Sequence, residues 1–325
     1  MFGTSTGSRR VRNLLAGVCA TALAVGLSTL ASGAAQAQTQ SKSHGSEFGT
    51  HYVRTHGQTV KVQTHGRFGV VPQQHGAATH AKPAAAKKSF GPNDLVYGGG
   101  PVQHQVAVYL VFWGSQWDSD GNGVQSYMNN LFGGLGTSQD SWSTVTSQYT
   151  DNSGGNPTFN GAVLAGSWVD DGSSAPQSAA ASDIAAEAEM GVQHFGISAS
   201  NDVQLVVLSP SGTNPDNFPN AGFCAWHDFD GSVPYTNMPY VLDAGSSCGA
   251  NSVQNQLDGF SIVEGHEYAE TITDPQPSSG WVRSDGQENG DVCAWQNLAA
   301  ISLPTGSFAM QPTWSNAISA CAMSS

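Results

Sequence analysis

The sequence predicts an α/β (or α+β) fold in which a mixed sheet packs against helices. Two continuous apolar runs, at 106–113 and Val203–Leu208, have the length and the β-branched content of buried central strands. Alternating segments near 158–169 and 239–242 are typical of half-buried strands. Four segments favour helices, at 124–132, 139–149, 179–195 and about 253–274. Strands that interleave with helices along a chain indicate this fold class.

The region after Pro275 is predicted to consist of short strands and loops that a disulfide holds in place. Cys19 lies in the predicted leader, and four cysteines follow it: Cys224, Cys248, Cys293 and Cys321. An even number in an oxidising compartment predicts two disulfides. The pairs 224–248 and 293–321 are favoured because they close the shortest loops. A Cys-rich zinc site is disfavoured because the chain has no C-x-x-C spacing.

The N-terminus has the features of a secretory signal peptide over residues 1–37. Arg9, Arg10 and Arg12 precede an apolar run at 14–30, and Ala-Gln-Ala at 35–37 supplies a small-residue cleavage site. The mature chain is then expected to begin at Gln38. No later segment is apolar enough to span a bilayer. The protein is therefore predicted to be secreted, with no membrane association after cleavage.

Residues 38–90 are predicted to be a disordered, His-containing linker or a pro-segment. Polar and small residues dominate this stretch, which holds six of the ten histidines: His44, His51, His56, His65, His75 and His80. A tail that gathers metal ions is the alternative interpretation.

Residues 91–325 are predicted to form one acidic globular domain, expected to be a monomer. They contain 23 acidic residues and a single basic one, Arg283. Such a domain is a poor partner for nucleic acid or an anionic membrane. Almost all basic residues of the mature chain lie in the preceding segment, which could therefore lie against the acidic domain before it is removed.

The segment from His266 to Asp274 carries the strongest functional signal. On a helix, His266, Glu267, Glu270 and Asp274 fall within one arc of about 100°. The opposite arc is apolar and suits a core, with Ile262, Tyr268, Ala269 and Ile272. The carboxylates repel one another and lie at the negative end of the helix dipole, and no basic residue is nearer in sequence than Arg283. A bound cation would relieve both effects.

The pattern H-E-x-x-E differs by one ligand from the H-E-x-x-H zinc motif. His266 and Glu270 occupy its ligand positions, and Glu267 occupies the position of the general base. Zinc is the favoured ion, with calcium or manganese as the alternative. Candidates for a third ligand are Asp274, Glu288, Asp291 and, as a secondary candidate, His227. The competing interpretation is a solvated acidic helix face with an incidental histidine.

Two weaker metal signals occur elsewhere. Asp118, Asp120 and Asn122 match the first half of a calcium loop, but Asn129 stands where a bidentate Glu is expected. A calcium ion there would be structural, and a turn that caps the next helix is the alternative. Glu187 and His194 could share a helix face, for which a solvated acidic helix is the commoner explanation.

Several segments together resemble the phosphate-induced protein 1 (EXORDIUM-like) family and its bacterial secreted relatives. The matching segments, in chain order, are V-Y-L at 108–110 before W-G at 113–114, F-C-A-W-H at 223–227, the H-E-x-x-E stretch through Pro275, E-N-G-D-V-C at 288–293, and Gln311 with W-S at 314–315 ahead of Cys321. The resemblance implies a zincin-like fold. It also implies a metal cluster of His266, Glu270 and either Glu288 or Asp291, and an association with the cell wall.

Two functions from different classes follow. The first is a secreted zinc metallopeptidase that acts on a protein or peptide, with Glu267 deprotonating the attacking water. The second is a non-catalytic extracellular or wall-associated protein, bound to a cell-wall component, whose metal stabilises the fold. No G-x-S-x-G nucleophile motif competes with the metal site.

Overall fold

A six-stranded mixed sheet forms the centre of the protein, of which a computed structural model describes residues 48–74 and 94–325. In these residues the strands are β1 (Gly49–Thr55), β2 (Gln58–Thr64), β3 (Phe68–Pro72), β4 (Val96–Tyr97), β5 (Ala107–Trp113), β6 (Leu164–Asp170), β7 (Val203–Leu208), β8 (Phe223–Phe229), β9 (Pro234–Met238), β10 (Trp281–Val282), β11 (Ala299–Leu303), β12 (Gly306–Met310), β13 (Thr313–Ser315) and β14 (Ala320–Ala322). The central sheet has the order β3-β8-β9-β7-β5-β6. Strands β9, β7, β5 and β6 run parallel to one another, and β8 pairs antiparallel with both β9 and β3. The predicted mixed sheet is confirmed.

Among the described residues, three α-helices accompany the sheet: α1 (Val124–Gly134), α2 (Ala181–Phe195) and α3 (Asp258–Thr273). Short 3₁₀ helices occupy Ser115–Ser119, Ser143–Gln148, Pro215–Asn217, Val241–Cys248 and Asp291–Cys293. Within the described ranges, no helix is both long enough and apolar enough to span a bilayer.

Helices α2 and α3 cover opposite faces of the sheet. On β7, Gln204 donates a hydrogen bond to the carbonyl of Tyr268 on α3. The next residue, Leu205, packs against Gly191 of α2, where an added Cβ would meet its Cδ1 at 3.0 Å. Neighbouring side chains on a strand point to opposite faces. Burial on both faces explains why β7 is apolar almost throughout.

Every residue of α3 is buried, so its acidic arc faces protein rather than solvent. Tyr268 anchors the apolar arc, with its ring 5.7 Å from that of Phe132 and 6.2 Å from that of Trp142. The helix begins at Asp258 rather than near 253. The Asp258 carboxylate accepts the backbone N–H groups of residues 253–255 and so folds that stretch into a turn.

Two other sequence expectations differ locally from the structure. Residues 139–149 form a 3₁₀ helix only at Ser143–Gln148, because the Asp140 carboxylate accepts the N–H groups of Gly136, Trp142 and Ser143 and shapes the chain as a turn. The strand expected near 239–242 lies earlier, at Pro234–Met238, and a 3₁₀ helix follows it.

The predicted disordered linker over 38–90 is wrong for residues 49–72, which form β1, β2 and β3. In β2, Val60, Val62 and Thr64 alternate with more exposed residues, a period-2 pattern that is visible in the sequence. The turn His56-Gly57 has φ of 48° and 75°, as a two-residue type I′ hairpin requires. The predicted signal peptide, Cys19, His44, His75 and His80 lie outside the described residues.

Residues 48–74, called the N-terminal segment below, lie against the acidic part of the chain, as their basic residues suggested. They belong to the same compact unit as residues 94–325. The Arg67 guanidinium binds the Asp216 carboxylate, with Nη2 at 2.9 Å from Oδ1. The His65 backbone N–H donates to Asp228 at 2.7 Å. The basic charge absent from 94–325 is thus supplied partly by this segment.

The two disulfides confirm the predicted pairing. Cys224–Cys248 and Cys293–Cys321 have Cα–Cα distances of 5.5 and 5.7 Å. The first ties β8 to the 3₁₀ helix at Val241–Cys248. The second ties β14 to the 3₁₀ helix at Asp291–Cys293.

Replacing Cys293 and Cys321 together by Ala should lower the free energy of unfolding by about 3–4 kcal/mol, because the bond closes a loop with a sequence separation of 28. Urea unfolding under non-reducing conditions measures this change. The matched double variant at Cys224 and Cys248, with a separation of 24, should lose a similar amount. An unchanged midpoint in the first variant would contradict the expectation.

Candidate metal centre

Six titratable side chains meet beside α3 and form what we call the α3 cluster. Strand β8 supplies one of them, α3 supplies three, and the loop leading into the last 3₁₀ helix supplies two. They are His227, His266, Glu267, Glu270, Glu288 and Asp291. The structure thus brings together five of the six predicted ligand candidates and the predicted general base.

One group in the cluster consists of His266, Glu270 and Asp291. His266 Nε2 lies 2.9 Å from Glu270 Oε1 and 3.6 Å from Asp291 Oδ1. Ligands about 2.0–2.2 Å from a tetrahedral zinc ion are about 3.3–3.6 Å apart, so these three atoms fit such a shell after small adjustments. The backbone N–H of Asp291 also donates to Glu270 Oε1 at 2.8 Å, which fixes the loop against the helix.

A second group centres on His227. Its Nδ1 lies 2.9 Å from Glu267 Oε2 and 3.8 Å from Glu270 Oε2. Its Nε2 lies 3.6 Å from Glu288 Oε2. Glu270 therefore directs one carboxylate oxygen towards each histidine. His227, Glu267 and Glu270 form one set that could hold a metal ion, and His266, Glu270 and Asp291 form another.

The cluster is deeply buried and holds several polar atoms without hydrogen bonds. His227, His266, Glu267 and Glu270 have no exposed surface. Within the described residues, no hydrogen bond reaches the second oxygens of three carboxylates or one ring nitrogen of His227: Glu267 Oε1, Glu270 Oε2, Glu288 Oε2 and His227 Nε2. Burying such groups without a partner is costly. A divalent cation among them would satisfy both the charge and the lone pairs, so the residues fit a metal ion.

The pKa values of the glutamates in the cluster also indicate that their charged forms are destabilised without a bound cation. Burial raises the pKa of Glu267 and of Glu288 well above the usual range, and the charge of Glu270 adds to it. Burial also raises the pKa of Glu270, to about 7, against the opposing effect of His266. Burial disfavours the charged form of His266, but the neighbouring carboxylates outweigh this and raise its pKa to about 10. Burial and the charge of His266 lower the pKa of His227 to about 3.

Two glycines allow the backbone to close over the cluster. A Cβ on Gly69 of β3 would lie 2.0 Å from Glu270 Oε2 and 2.4 Å from His227 Cε1. A Cβ on Gly290 would lie 2.9 Å from both Glu270 Oε1 and His266. Asp291 is the most exposed of the six side chains, at 18%. The cluster is therefore covered by β3 and open mainly beside Asp291.

Neither glycine was identified from the sequence, and the same holds for Glu264. Gly290 lies inside the E-N-G-D stretch, so its place between two candidate ligands was a usable signal. Gly69 offered none, because nothing local links it to α3. Glu264 lies one turn before Glu267, is fully buried, and has a pKa raised well above its usual range by burial.

The structure does not bring Asp274 to the α3 cluster. Its carboxylate accepts the backbone N–H groups of Ser278 at 2.6 Å, Ser279 at 3.1 Å and Gly280 at 2.6 Å. The side chain holds the loop that follows α3, and the metal-ligand prediction for Asp274 is not supported.

The segment predicted to be a calcium loop forms a turn before α1. Asp120 Oδ2 accepts the backbone N–H of Val124 at the start of α1, and its Oδ1 accepts the Tyr240 hydroxyl at 2.8 Å. Asn122 donates to the same hydroxyl at 2.8 Å. Among the described residues, neither Asp118 nor Asp120 belongs to a group of three or more His, Cys, Asp or Glu side chains that could hold a metal ion. These hydrogen bonds agree with the alternative of a turn that caps the next helix, and the calcium site stays a prediction.

The fold and the cluster together define the class: a mixed α/β protein with two disulfides and a buried group of acidic and histidine side chains that could hold a metal ion. No family model, curated protein or solved structure matches the chain. The similarity to the phosphate-induced protein 1 family stays a prediction from the sequence segments.

Proposed function

We propose that the protein is a secreted, zincin-like zinc-dependent hydrolase, of the peptidase class, held in a latent form. One observation carries the proposal. The H-E-x-x-E stretch of α3 places His266 and Glu270 in one candidate ion site with Asp291, and it places Glu267 in the same cluster with one oxygen free of hydrogen bonds. A carboxylate beside the ligands is what hydrolytic chemistry requires in addition to the ion.

Each side chain has a definable role in this proposal. His266, Glu270 and Asp291 hold the zinc ion, which supplies a Lewis acid that polarises the scissile carbonyl. Glu267 accepts a proton from the attacking water and later gives it to the leaving amine. His227, 2.9 Å from Glu267 Oε2, orients that carboxylate. Glu288 contacts the other ring nitrogen of His227 and fixes its position.

Latency follows from the position of β3. Phe68 is paired with His227 across the antiparallel register, and the Gly69 backbone lies directly on Glu270 and His227. A substrate carbonyl cannot reach Glu267 while β3 is in place. In this case the predicted pro-segment would inhibit the protein by covering the α3 cluster, and β3 would have to be removed before catalysis.

Secretion completes the proposal. It rests on the predicted signal peptide and on two disulfides, which are typical of proteins from oxidising compartments. A protein or peptide is the proposed substrate.

Replacing Glu267 by Gln is expected to abolish hydrolysis while leaving the ion bound. A protease site inserted between residues 74 and 94 allows the folded full-length chain to be cut, and casein hydrolysis is measured before and after cutting. The cut wild-type protein should be active, and the variant should be slower by about 100-fold or more, since it lacks the general base. Zinc content by mass spectrometry should be equal in the two proteins.

A second function is favoured by the complete burial of four of the six side chains in the cluster: a non-catalytic extracellular protein with a structural ion. In that case, cutting and releasing the N-terminal segment yields no hydrolysis in either protein, although both retain zinc. Equal hydrolysis by wild type and variant would also reject Glu267 as the base. If neither protein binds zinc, both functions fail together.

A further inference from the structure

A second group of potential ligands lies on the opposite face of the central sheet from the α3 cluster. His56 from the β1–β2 turn, Asp170 from the end of β6 and Glu187 from the middle of α2 direct one ligand atom each towards a common point. His56 Nε2 lies 3.0 Å from Asp170 Oδ2 and 3.5 Å from Glu187 Oε2. Neighbouring ligands in a tetrahedral zinc shell are about 3.3–3.6 Å apart, so the second separation fits such a shell and the first would have to lengthen by about 0.3 Å.

The buried carboxylate of Glu187, which has no hydrogen-bond partner in the described part of the chain, points to a bound ligand at this place. Its side chain has no exposed surface, and neither carboxylate oxygen has a hydrogen-bond partner among the described residues. Asp170 is only 4% exposed, and its Oδ2 faces His56 Nε2 at 3.0 Å. Two carboxylates so close in a buried place destabilise the doubly charged state, and either a proton shared between them or a bound cation relieves this repulsion. Burial, helped by Asp170, raises the pKa of Glu187 to about 9.

The position of His56 is set by the hairpin, not by the two carboxylates. The residue has φ of 48°, an uncommon value for a residue other than glycine, at the first position of the two-residue turn. The next residue but one, Gln58, donates to Gln193 of α2 at 2.8 Å and so attaches the turn to the helix. The backbone of His56 is therefore held next to Glu187 and Asp170, which lowers the entropic cost of bringing its imidazole to an ion.

We propose that His56, Asp170 and Glu187 bind one divalent transition-metal ion, separate from the ion at the α3 cluster. One imidazole and two carboxylates form a ligand set that zinc accepts, with a water completing four-coordination. Such an ion would join the β1–β2 hairpin to the last residue of β6 and to the centre of α2. It would be a structural clamp on the N-terminal segment.

The test counts zinc ions in a background from which the α3 cluster is removed. The full-length chain carrying His266→Ala and Glu270→Gln is dialysed against zinc, and its bound metal is measured by mass spectrometry. It should hold one equivalent. Adding either Glu187→Gln or His56→Ala should remove that equivalent, with a loss of affinity of at least about 100-fold, since each change removes a direct ligand.

Matched controls separate a lost ligand from a general disturbance. His51, another hairpin histidine, contacts Thr64 rather than the carboxylates, so His51→Ala should keep the equivalent. Glu189→Gln changes a neighbouring carboxylate of α2 and should also keep it. Because His56 is 29% exposed at its side chain, His56→Ala is expected to fold even if Glu187→Gln does not.

Two results would overturn the proposal. The first is a folded His266→Ala/Glu270→Gln protein that binds no zinc. The second is retention of its zinc after His56→Ala. Because the His56→Ala comparison is made within one background, its result is independent of whether the α3 cluster binds an ion or catalyses a reaction.

Discussion

Replacing His266 by Ala is expected to abolish zinc binding at the α3 cluster, with a loss of affinity of at least about 100-fold. The imidazole is the nitrogen ligand of the group that it forms with Glu270 and Asp291, and outer partners of metal ligands alone change affinity by about 10–100-fold. Competition with a chromophoric chelator measures the loss. Melting temperature provides a second measurement, because an ion that binds only the folded state stabilises it.

Asp274→Asn is the matched control on the same helix end. The Asp274 carboxylate serves the backbone of the following loop, so this variant should keep its zinc affinity. It should instead lower the free energy of unfolding by about 1–3 kcal/mol, since hydrogen bonds to a charged acceptor are weakened. Wild-type affinity in His266→Ala, or a large loss in Asp274→Asn, would contradict the assignment of ligands.

Replacing Gly69 by Ala is expected to lower the free energy of unfolding by about 2–5 kcal/mol or to displace β3 from the sheet. The new Cβ would lie within 2.0 Å of Glu270 Oε2, a distance that the buried cluster cannot accommodate. Overpacking costs about 1–3 kcal/mol, and the left-handed backbone at φ of 50° adds about 1–2 kcal/mol. Urea unfolding and hydrogen exchange of the β3 amides measure the two outcomes.

Gly196→Ala isolates the backbone contribution of that change. Gly196 has φ of 66°, and no atom lies within 4 Å of an added Cβ. This variant should therefore cost only about 1–2 kcal/mol. If Gly69→Ala is no more destabilising than Gly196→Ala, β3 does not lie on the α3 cluster as described.

The sequence predicts an element correctly where its local pattern of apolar residues agrees with the burial of those residues in the fold. Val203–Leu208 is apolar because both faces of the strand are covered, and its predicted bounds are those observed. The linker prediction failed for β1 to β3 because overall polarity was given more weight than the short alternation at Val60 and Val62. The start of α3 was placed too early because a side chain, Asp258, redirects the preceding backbone.

The candidate site was predictable wherever its residues share one helix or follow one motif. Helical spacing places His266, Glu267 and Glu270 on one arc, and Glu288 and Asp291 were among the predicted candidates for a third ligand. The approach of Gly69 and the group formed by His56, Asp170 and Glu187 depend on contacts between distant segments. No local pattern specifies such contacts, because they arise only when the sheet is assembled.

Strand β3 is also the edge of the central sheet, and its pairing with β8 has a consequence for solubility. Any form of the protein that lacks β3 leaves the outer N–H and C=O groups of β8 unpaired, along a strand rich in aromatic residues. An exposed apolar edge of this kind is a template for pairing with a second chain. The N-terminal segment therefore covers an edge that would otherwise be open to pairing with a second chain.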